Sequence, residues 1–139
     1  MKKLFTLISA LAAALAISAC TNLTPQDAGA EHVTGTVSYR ERIALPDNAR
    51  VTVTLADVSK MDVAAEVISS HAFLTEGKQV PFDYQLPFMR DEIKPNHTYA
   101  VSARIEVDGK LIFTTDTANR VITDEAKTLK KDLRLVKVQ

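Results

Sequence analysis

The sequence predicts an all-β domain, a single antiparallel sandwich of about seven strands, and three observations carry that expectation. Apolar and polar residues alternate with period two through most of residues 33–135, the mark of strands with one buried face. Turn-forming clusters interrupt the alternation at sandwich-like spacing. The segment Ile93-Lys94-Pro95-Asn96-His97-Thr98-Tyr99-Ala100-Val101 has the pattern of a corner where a chain crosses between sheets.

The first element lies outside the fold. Lys2 and Lys3 follow Met1, and residues 4–17 are apolar apart from Thr6 and Ser9. A bilayer span needs roughly 20 apolar residues, so this run has the length and flank of a signal-peptide core. It ends in Ile17-Ser18-Ala19-Cys20, which resembles a bacterial lipobox. Small residues at Ser18 and Ala19 suit a membrane-embedded peptidase, and the thiol suits acylation. The resemblance implies a diacylglyceryl thioether on Cys20, cleavage that removes residues 1–19, and an acyl chain on the new amino group. An ordinary secretory signal with a chance cysteine is the competing reading. Cys20 is the only cysteine, and an alkylated thiol is inert in the oxidising compartment of an exported protein. Each buried methylene contributes about 0.8 kcal/mol, so several acyl chains anchor durably where one does not. Thr21 follows the cysteine; it lacks the Asp that commonly signals inner-membrane retention in enteric-type bacteria. The expected location is the periplasmic face of the outer membrane.

Removing Lys2 and Lys3 with the leader leaves 15 basic against 17 acidic residues. Such a balance supplies no basic field for nucleic acid, and nucleic-acid binding is not expected. Residues 20–31 carry Pro25, Gly29, Asn22 and Gln26 without apolar periodicity and read as a flexible tether. The folded domain is expected over 32–139.

Val33, Gly35, Val37 and Tyr39 share one parity, and Val51, Val53 and Leu55 share another. Residues 67–74 form a less regular strand with room for a bulge. Val80, Phe82, Tyr84 and Leu86 alternate with polar residues, as do Tyr99, Val101, Ala103, Ile105 and Val107. Asp108-Gly109 reads as a tight hairpin before Leu111 and Phe113, and Leu133 and Leu135 close the chain. The in-phase residues Val37, Val53, Leu55, Phe82, Tyr84, Leu86, Val101, Ile105 and Phe113 are the expected core. Tyr99 is expected to bond the backbone near Ile93–Pro95, as in immunoglobulin-like sandwiches. A looser echo runs from Ile43 to Val53. Lys127, Lys130, Lys131, Arg134 and Lys137 suggest a charged edge strand.

Chemistry is sparse. His32, His71 and His97 fall in different segments without metal-ligand spacing and read as surface imidazoles; neither a metal nor a cofactor is expected beyond the acyl groups on Cys20. Asp57 reads as a turn acceptor for Ser59, with a buried functional carboxylate as the alternative. Asp116, between Thr115 and Thr117, reads as a turn or capping residue, with ligand binding as the alternative. Phe88 and Met89, beside the polar Arg90-Asp91, are the candidate partner-binding residues; closing the end of the sandwich is the competing role.

A set of short segments carries a family resemblance. They are Gly35-Thr36-Val37, Ala44-Leu45-Pro46, Val51-Thr52-Val53-Thr54-Leu55-Ala56-Asp57, Thr75-Glu76-Gly77-Lys78-Gln79, Pro81-Phe82, Leu86-Pro87-Phe88 and Thr115-Asp116-Thr117. With the lipobox, they resemble the YbaY/YscW family of bacterial lipoproteins, and more closely its YbaY branch. The YscW branch implies a pilotin, a lipoprotein that binds a secretin subunit and carries it to the outer membrane. The expectation is therefore a membrane-anchored, non-enzymatic binding or assembly module of the cell envelope, with an envelope protein such as a secretin as partner. A periplasmic enzyme or carbohydrate-binding protein acting on envelope polymers is the alternative.

The leader makes one direct prediction. Wild-type protein expressed in an enteric bacterium incorporates fatty-acid label, and Cys20→Ala abolishes it; an unlabelled wild type refutes lipidation.

Overall fold

The computed structural model describes residues 29–139; the expected leader 1–19, Cys20 and most of the tether lie outside the described residues. Eight strands follow in order: β1 Ala30–Tyr39, β2 Arg50–Asp57, β3 Glu66–Leu74, β4 Phe82–Met89, β5 Tyr99–Val107, β6 Lys110–Thr114, β7 Asn119–Val121 and β8 Leu133–Lys137. The helical content among the described residues is one 3-10 turn at Arg90–Glu92. Strand β1 begins at Ala30, so Ala30 and Glu31 belong to the fold rather than the tether. Both are held there by the ladder to β4, in which Ala30 faces Met89 and Glu31 faces Phe88.

The all-β expectation holds, but the immunoglobulin-like sandwich of about seven strands does not. The strands form one sheet in the order β3-β2-β5-β6-β8-β1-β4, with β7 beside β5. The sheet curls until its two edges, β3 and β4, face each other, giving a nearly closed barrel. The physical reason is β8. It pairs in parallel with β1 (Val37 opposite Leu133, Tyr39 opposite Leu135) and antiparallel with β6 (Phe113 opposite Lys137). Two halves that would have been separate sheets are thereby one. The same ladders correct the reading of the basic residues near the C-terminus: β8 is an interior strand, with Arg134 on its exposed outward face and Lys137 exposed at its end.

Period-two patterning decides what is inside. Val51, Val53 and Leu55 are fully buried on β2, as are Phe82, Tyr84, Leu86 and Phe88 on β4 to within 5% exposure. Every residue of the expected core is buried. Tyr39 stacks on Phe113 with ring centroids 4.1 Å apart. Asp108 and Gly109 both take positive φ, 52° and 80°, the geometry of a type I′ hairpin between β5 and β6. The bulge foreseen near the start of β3 is present, as a register shift opposite Leu55 and Ala56. Strand β7 was not anticipated, since three residues are too few to show a period.

The chain contains three tyrosines, and each fixes a place where the chain crosses the barrel. Tyr39 Oη donates to Ile43 C=O at 2.6 Å, at the crossing from β1 to β2. Tyr99 Oη accepts from Lys94 N–H at 3.0 Å, at the crossing from β4 to β5; the bond expected of a tyrosine corner is there, within a barrel. Tyr84 Oη donates to Lys131 C=O at 2.5 Å, where the chain approaches β8. Burial, with the Asp132 charge added, pushes the Tyr84 hydroxyl far above its ordinary pKa, so it remains a donor.

Two further segments carrying the family resemblance dock on each other. Gln79 forms a bidentate pair with the Leu45 backbone, accepting from N–H at 2.8 Å and donating to C=O at 3.0 Å. Thr75, 1% exposed, donates to Pro46 C=O at 2.6 Å.

Gly35 has the most demanding position. A Cβ there would lie 1.9 Å from Lys131 O and 3.1 Å from a Tyr84 ring carbon. The backbone of residues 129–131 crosses β1 at this point, with Thr34 N–H donating to Leu129 O at 3.0 Å and Lys131 N–H to Thr34 O at 2.8 Å. Gly35→Ala forces that crossing outward and is predicted to destabilise the domain by at least about 1–3 kcal/mol, the usual cost of overpacking. Denaturant unfolding measures it; an unchanged midpoint refutes the close approach.

Candidate functional site

The barrel is not sealed between β3 and β4, and the sequence of β3 explains why. Register places Ser69, His71 and Phe73 on the same face as Leu55, Val53 and Val51 of β2. Where β2 offers three aliphatic side chains to the core, β3 offers a hydroxyl, an imidazole and one ring. No residue of β3 is buried. Strands β3 and β4 end the ladder order and do not pair with each other. The slit between them is bridged by side chains. The Phe73 ring meets Phe82 edge-on at 5.7 Å and lies 5.1 Å from the His71 ring. Gln85 N–H reaches His71 Nδ1 at 3.4 Å, a weak hydrogen bond.

Grooves open along the slit. One, of about 620 Å³, is floored by Phe73, Pro81 and Phe82 and rimmed by Lys78, Gln79 and Asp83. Another, of about 430 Å³, runs from His71 and Gln85 to Gly35 and Lys130. Both have the size of small-ligand clefts, but they are open troughs flanked by unpaired strand edges. Unpaired edges with a mixed aromatic and polar floor suit an extended polypeptide segment.

A second cluster lies at the barrel end where β2 stops and β5 starts. Asp57 Oδ1 accepts from Ser59 N–H at 2.9 Å and Ser59 Oγ at 2.5 Å. His97 Nδ1 lies 2.5 Å from Asp57 Oδ2, and Thr98 N–H donates to Ser59 Oγ at 2.8 Å. A serine, a histidine and an aspartate thus meet, but not in the order that activates a nucleophile. The hydroxyl donates to the carboxylate and not to the imidazole, so the histidine is not placed to act as base on the serine. The cluster instead ties the β2–β3 loop to the β4–β5 crossing, and the turn role expected of Asp57 is present.

The remaining sequence candidates are scattered. Phe88 is 3% exposed and packs inside, which corrects its expected place at a contact surface. It shares the inward parity of Phe82, Tyr84 and Leu86. Met89 points the other way and is 38% exposed. Arg90, 5.6 Å over the Phe88 ring, closes that end and pairs with Glu31 at 2.6 Å. His32 is exposed on β1 and Asp116 on the β6–β7 loop. His97 is half-buried against Asp57, not a free surface imidazole. No group of three or more metal-ligating side chains occurs among the described residues. Of the slit residues, His71 was read from sequence as a surface imidazole, and Phe73 and Asp83 were not singled out. The available signal was the lack of a clean apolar parity in residues 67–74, which marks a strand that cannot commit either face to a core.

Comparisons with known proteins fit this geometry. Residues 28–135 match the family described as "Type III secretion system lipoprotein chaperone (YscW)". The lipoprotein YbaY of Escherichia coli (strain K12), described as uncharacterized, is 39% identical over 155 aligned positions, spanning 99% of this chain and 80% of its own. A solved structure, an alternative pilotin from the type II secretion system of Vibrio cholerae, is 53% identical with a TM-score of 0.77. It covers 79% of this chain and 98% of its own.

The Asp57 cluster generates a pH prediction. Partial burial pushes the Asp57 carboxyl up, but hydrogen bonds from Ser59 and His97, with the imidazole beside it, outweigh burial and hold it at about 2. A carboxyl near 4 in the unfolded chain and near 2 in the folded one stabilises fully above pH 4 and loses that contribution as pH falls to 2. Asp57→Asn is predicted to lower stability at pH 7 by about 1.5–3 kcal/mol, the range for hydrogen bonds to a charged group. It also flattens the acid loss between pH 4 and 2. Unfolding curves across that range check both; an identical acid profile refutes the assignment.

Proposed function

The chain belongs to the YscW family of secretion-system lipoprotein chaperones, and from that premise we propose that it is a pilotin-like chaperone whose β3–β4 slit holds a segment of a secretin subunit. The lipid on Cys20 supplies location at the periplasmic face of the outer membrane, and the barrel supplies the receptor. No chemical step is involved: the work is binding, retention and delivery.

The observation that carries this reading is the pair of unpaired edges, β3 and β4, facing each other across an aromatic floor. An inserted segment gains main-chain hydrogen bonds from an edge, and alternate side chains reach Phe73, Phe82 and the polar rim. Strands β2 and β1 hold the two edges from behind. The 53% identity to a pilotin over nearly all of that protein supports the same class of work. The enzymatic alternative loses its best geometric candidate, because the Ser59 hydroxyl is committed to Asp57.

Photo-crosslinking amino acids placed at His71 and Phe73 test the reading in cells making the cognate secretin. Adducts with the secretin subunit are expected from both positions and not from Arg104, exposed on the outward face of the interior strand β5. Secretin adducts from position 104 alone place the interface elsewhere and refute the slit.

A further inference from the structure

The ladders place every strand end, and one end of the barrel is unlike the other. Ala30 faces Met89, Asp57 faces both Tyr99 and Glu66, and Tyr99 faces Val121. The start of β1, the end of β4, the β2–β3 loop and the β4–β5 crossing therefore share one end. Among the described residues, the exposed large apolar side chains are Ile43, Val58, Met61, Val63, Val67, Leu74, Met89 and Val136. Five of them, Val58, Met61, Val63, Val67 and Met89, belong to that end. Met61 stands 96% exposed at the tip of the β2–β3 loop, and Val63 is 59% exposed beside it.

That loop is not slack at its base. Val58 N–H donates to Thr98 O at 2.8 Å, and Ser59 is held by Asp57 and Thr98. The hydrogen-bonded cluster thus presents a methionine to the outside, where an unpacked large apolar side chain has no function in the fold. The end also carries both signs of charge with acids in excess, Lys60, Arg90 and Lys94 against Glu31, Asp62, Glu66, Asp91 and Glu92. Protruding apolar residues within such a polar rim suit a surface that is itself polar outside and apolar beneath.

The route of the chain says which surface that is. The domain begins at this same end, where Gly29 C=O accepts from Arg90 N–H at 2.8 Å. Cys20 lies nine residues upstream of Gly29. Nine residues reach at most about 32 Å and average nearer ~17 Å when flexible. We propose that this end of the barrel docks on the phospholipid surface that holds the anchor, with Met61 and Val63 inserted at the level of the headgroups and upper acyl chains. The inference rests on the reading of Cys20 as the lipidated residue. It adds an orientation: the barrel stands on its N-terminal end, and the slit opens sideways along the membrane.

The lone cysteine makes the test clean, because an acylated Cys20 leaves an introduced thiol as the only one. The full lipidated chain carrying Met61→Cys, Val63→Cys or Leu74→Cys is labelled with an environment-sensitive fluorophore. Each is reconstituted in vesicles of phosphatidylcholine and of phosphatidylcholine with phosphatidylglycerol, with and without a spin-labelled quencher lipid. Leu74 is the control, at the opposite end of β3. Labels at 61 and 63 are expected to shift to the blue and lose emission to the quencher in both vesicle types, while the label at 74 stays in water. A label at 61 that stays in water overturns the inference. So does a blue shift without lipid quenching, which means contact with a second copy or another protein. So does quenching in the anionic vesicles alone, which means headgroup attraction instead of apolar insertion. Vesicle flotation separates the two readings: wild type that fails to float with the lipid refutes the anchor, whereas floating protein with an unquenched label refutes only the docking.

Discussion

The fold depends on one parallel contact, the seating of β8 beside β1. The other ladders of the barrel are antiparallel, among them the non-sequential pairs β2–β5, β6–β8 and β1–β4. The parallel pairing requires the chain to come back over β1 before Leu133, and it crosses at the one position without a side chain, Gly35. There the Lys131 carbonyl occupies the space a Cβ would need and takes the Tyr84 hydroxyl as its donor. Immediately beyond, Asp132 Oδ1 accepts from both the N–H and the hydroxyl of Thr36 at 3.1 Å. Strand β8 can then join β1 to β6, and the sheet becomes continuous. Its two ends are β3 and β4 because β8 has joined everything between them.

That dependence also explains which parts of the structure were legible in the sequence. Strand positions and inward faces follow from period two, a local property, and residues such as Val53, Phe82 and Ile105 lie where their parity puts them. The tyrosine corner was legible too, since Tyr99 and its partner Lys94 are five residues apart. Architecture was not. Whether β8 ends a sheet or joins two depends on contacts between residues 34–39 and 129–135, and no local pattern records them. The basic residues near the C-terminus therefore suggested an edge, although the solvated outer face of an interior strand has the same composition. Phe88 failed for a related reason: the polar Arg90-Asp91 lies two residues on, but its parity is that of the core.

The family-bearing segments acquire physical roles in the same way. Gly35-Thr36-Val37 supplies the bare crossing, the donor pair for the Asp132 carboxylate and a core residue. Leu45-Pro46 and Thr75–Gln79 meet through the Gln79 amide and the Thr75 hydroxyl, which close the barrel end opposite the N-terminus. These segments hold the scaffold, and Lys78, Gln79, Pro81 and Phe82 also line the groove along the slit, whereas no residue of β3 belongs to them. A chain can therefore keep its barrel while the inner face of β3 varies, and the slit is where members of one fold can differ in partner.

The slit itself is a local failure of the rule that closes barrels. Barrels abolish edges by pairing the last strand with the first, and the inner face of β3 carries Ser69 and His71 where a sealed wall would need apolar residues. Burying Ser69 and His71 in a sealed wall would leave polar groups to be satisfied inside, so the open geometry is the lower-energy choice for this sequence. An open edge on a freely diffusing protein is an aggregation hazard. On a chain held at a membrane by the proposed lipid on Cys20, lateral association is limited by where the anchor lets the edge point. In the proposed docking, with the N-terminal end of the barrel on the bilayer, β3 and β4 would stand upright from it, and the slit would face neighbours on the same membrane surface instead of the membrane itself. Such an anchor would also raise the effective concentration of the slit for any partner at that surface: anchor and bare apolar end would together set the orientation in which the unpaired edges can capture a chain.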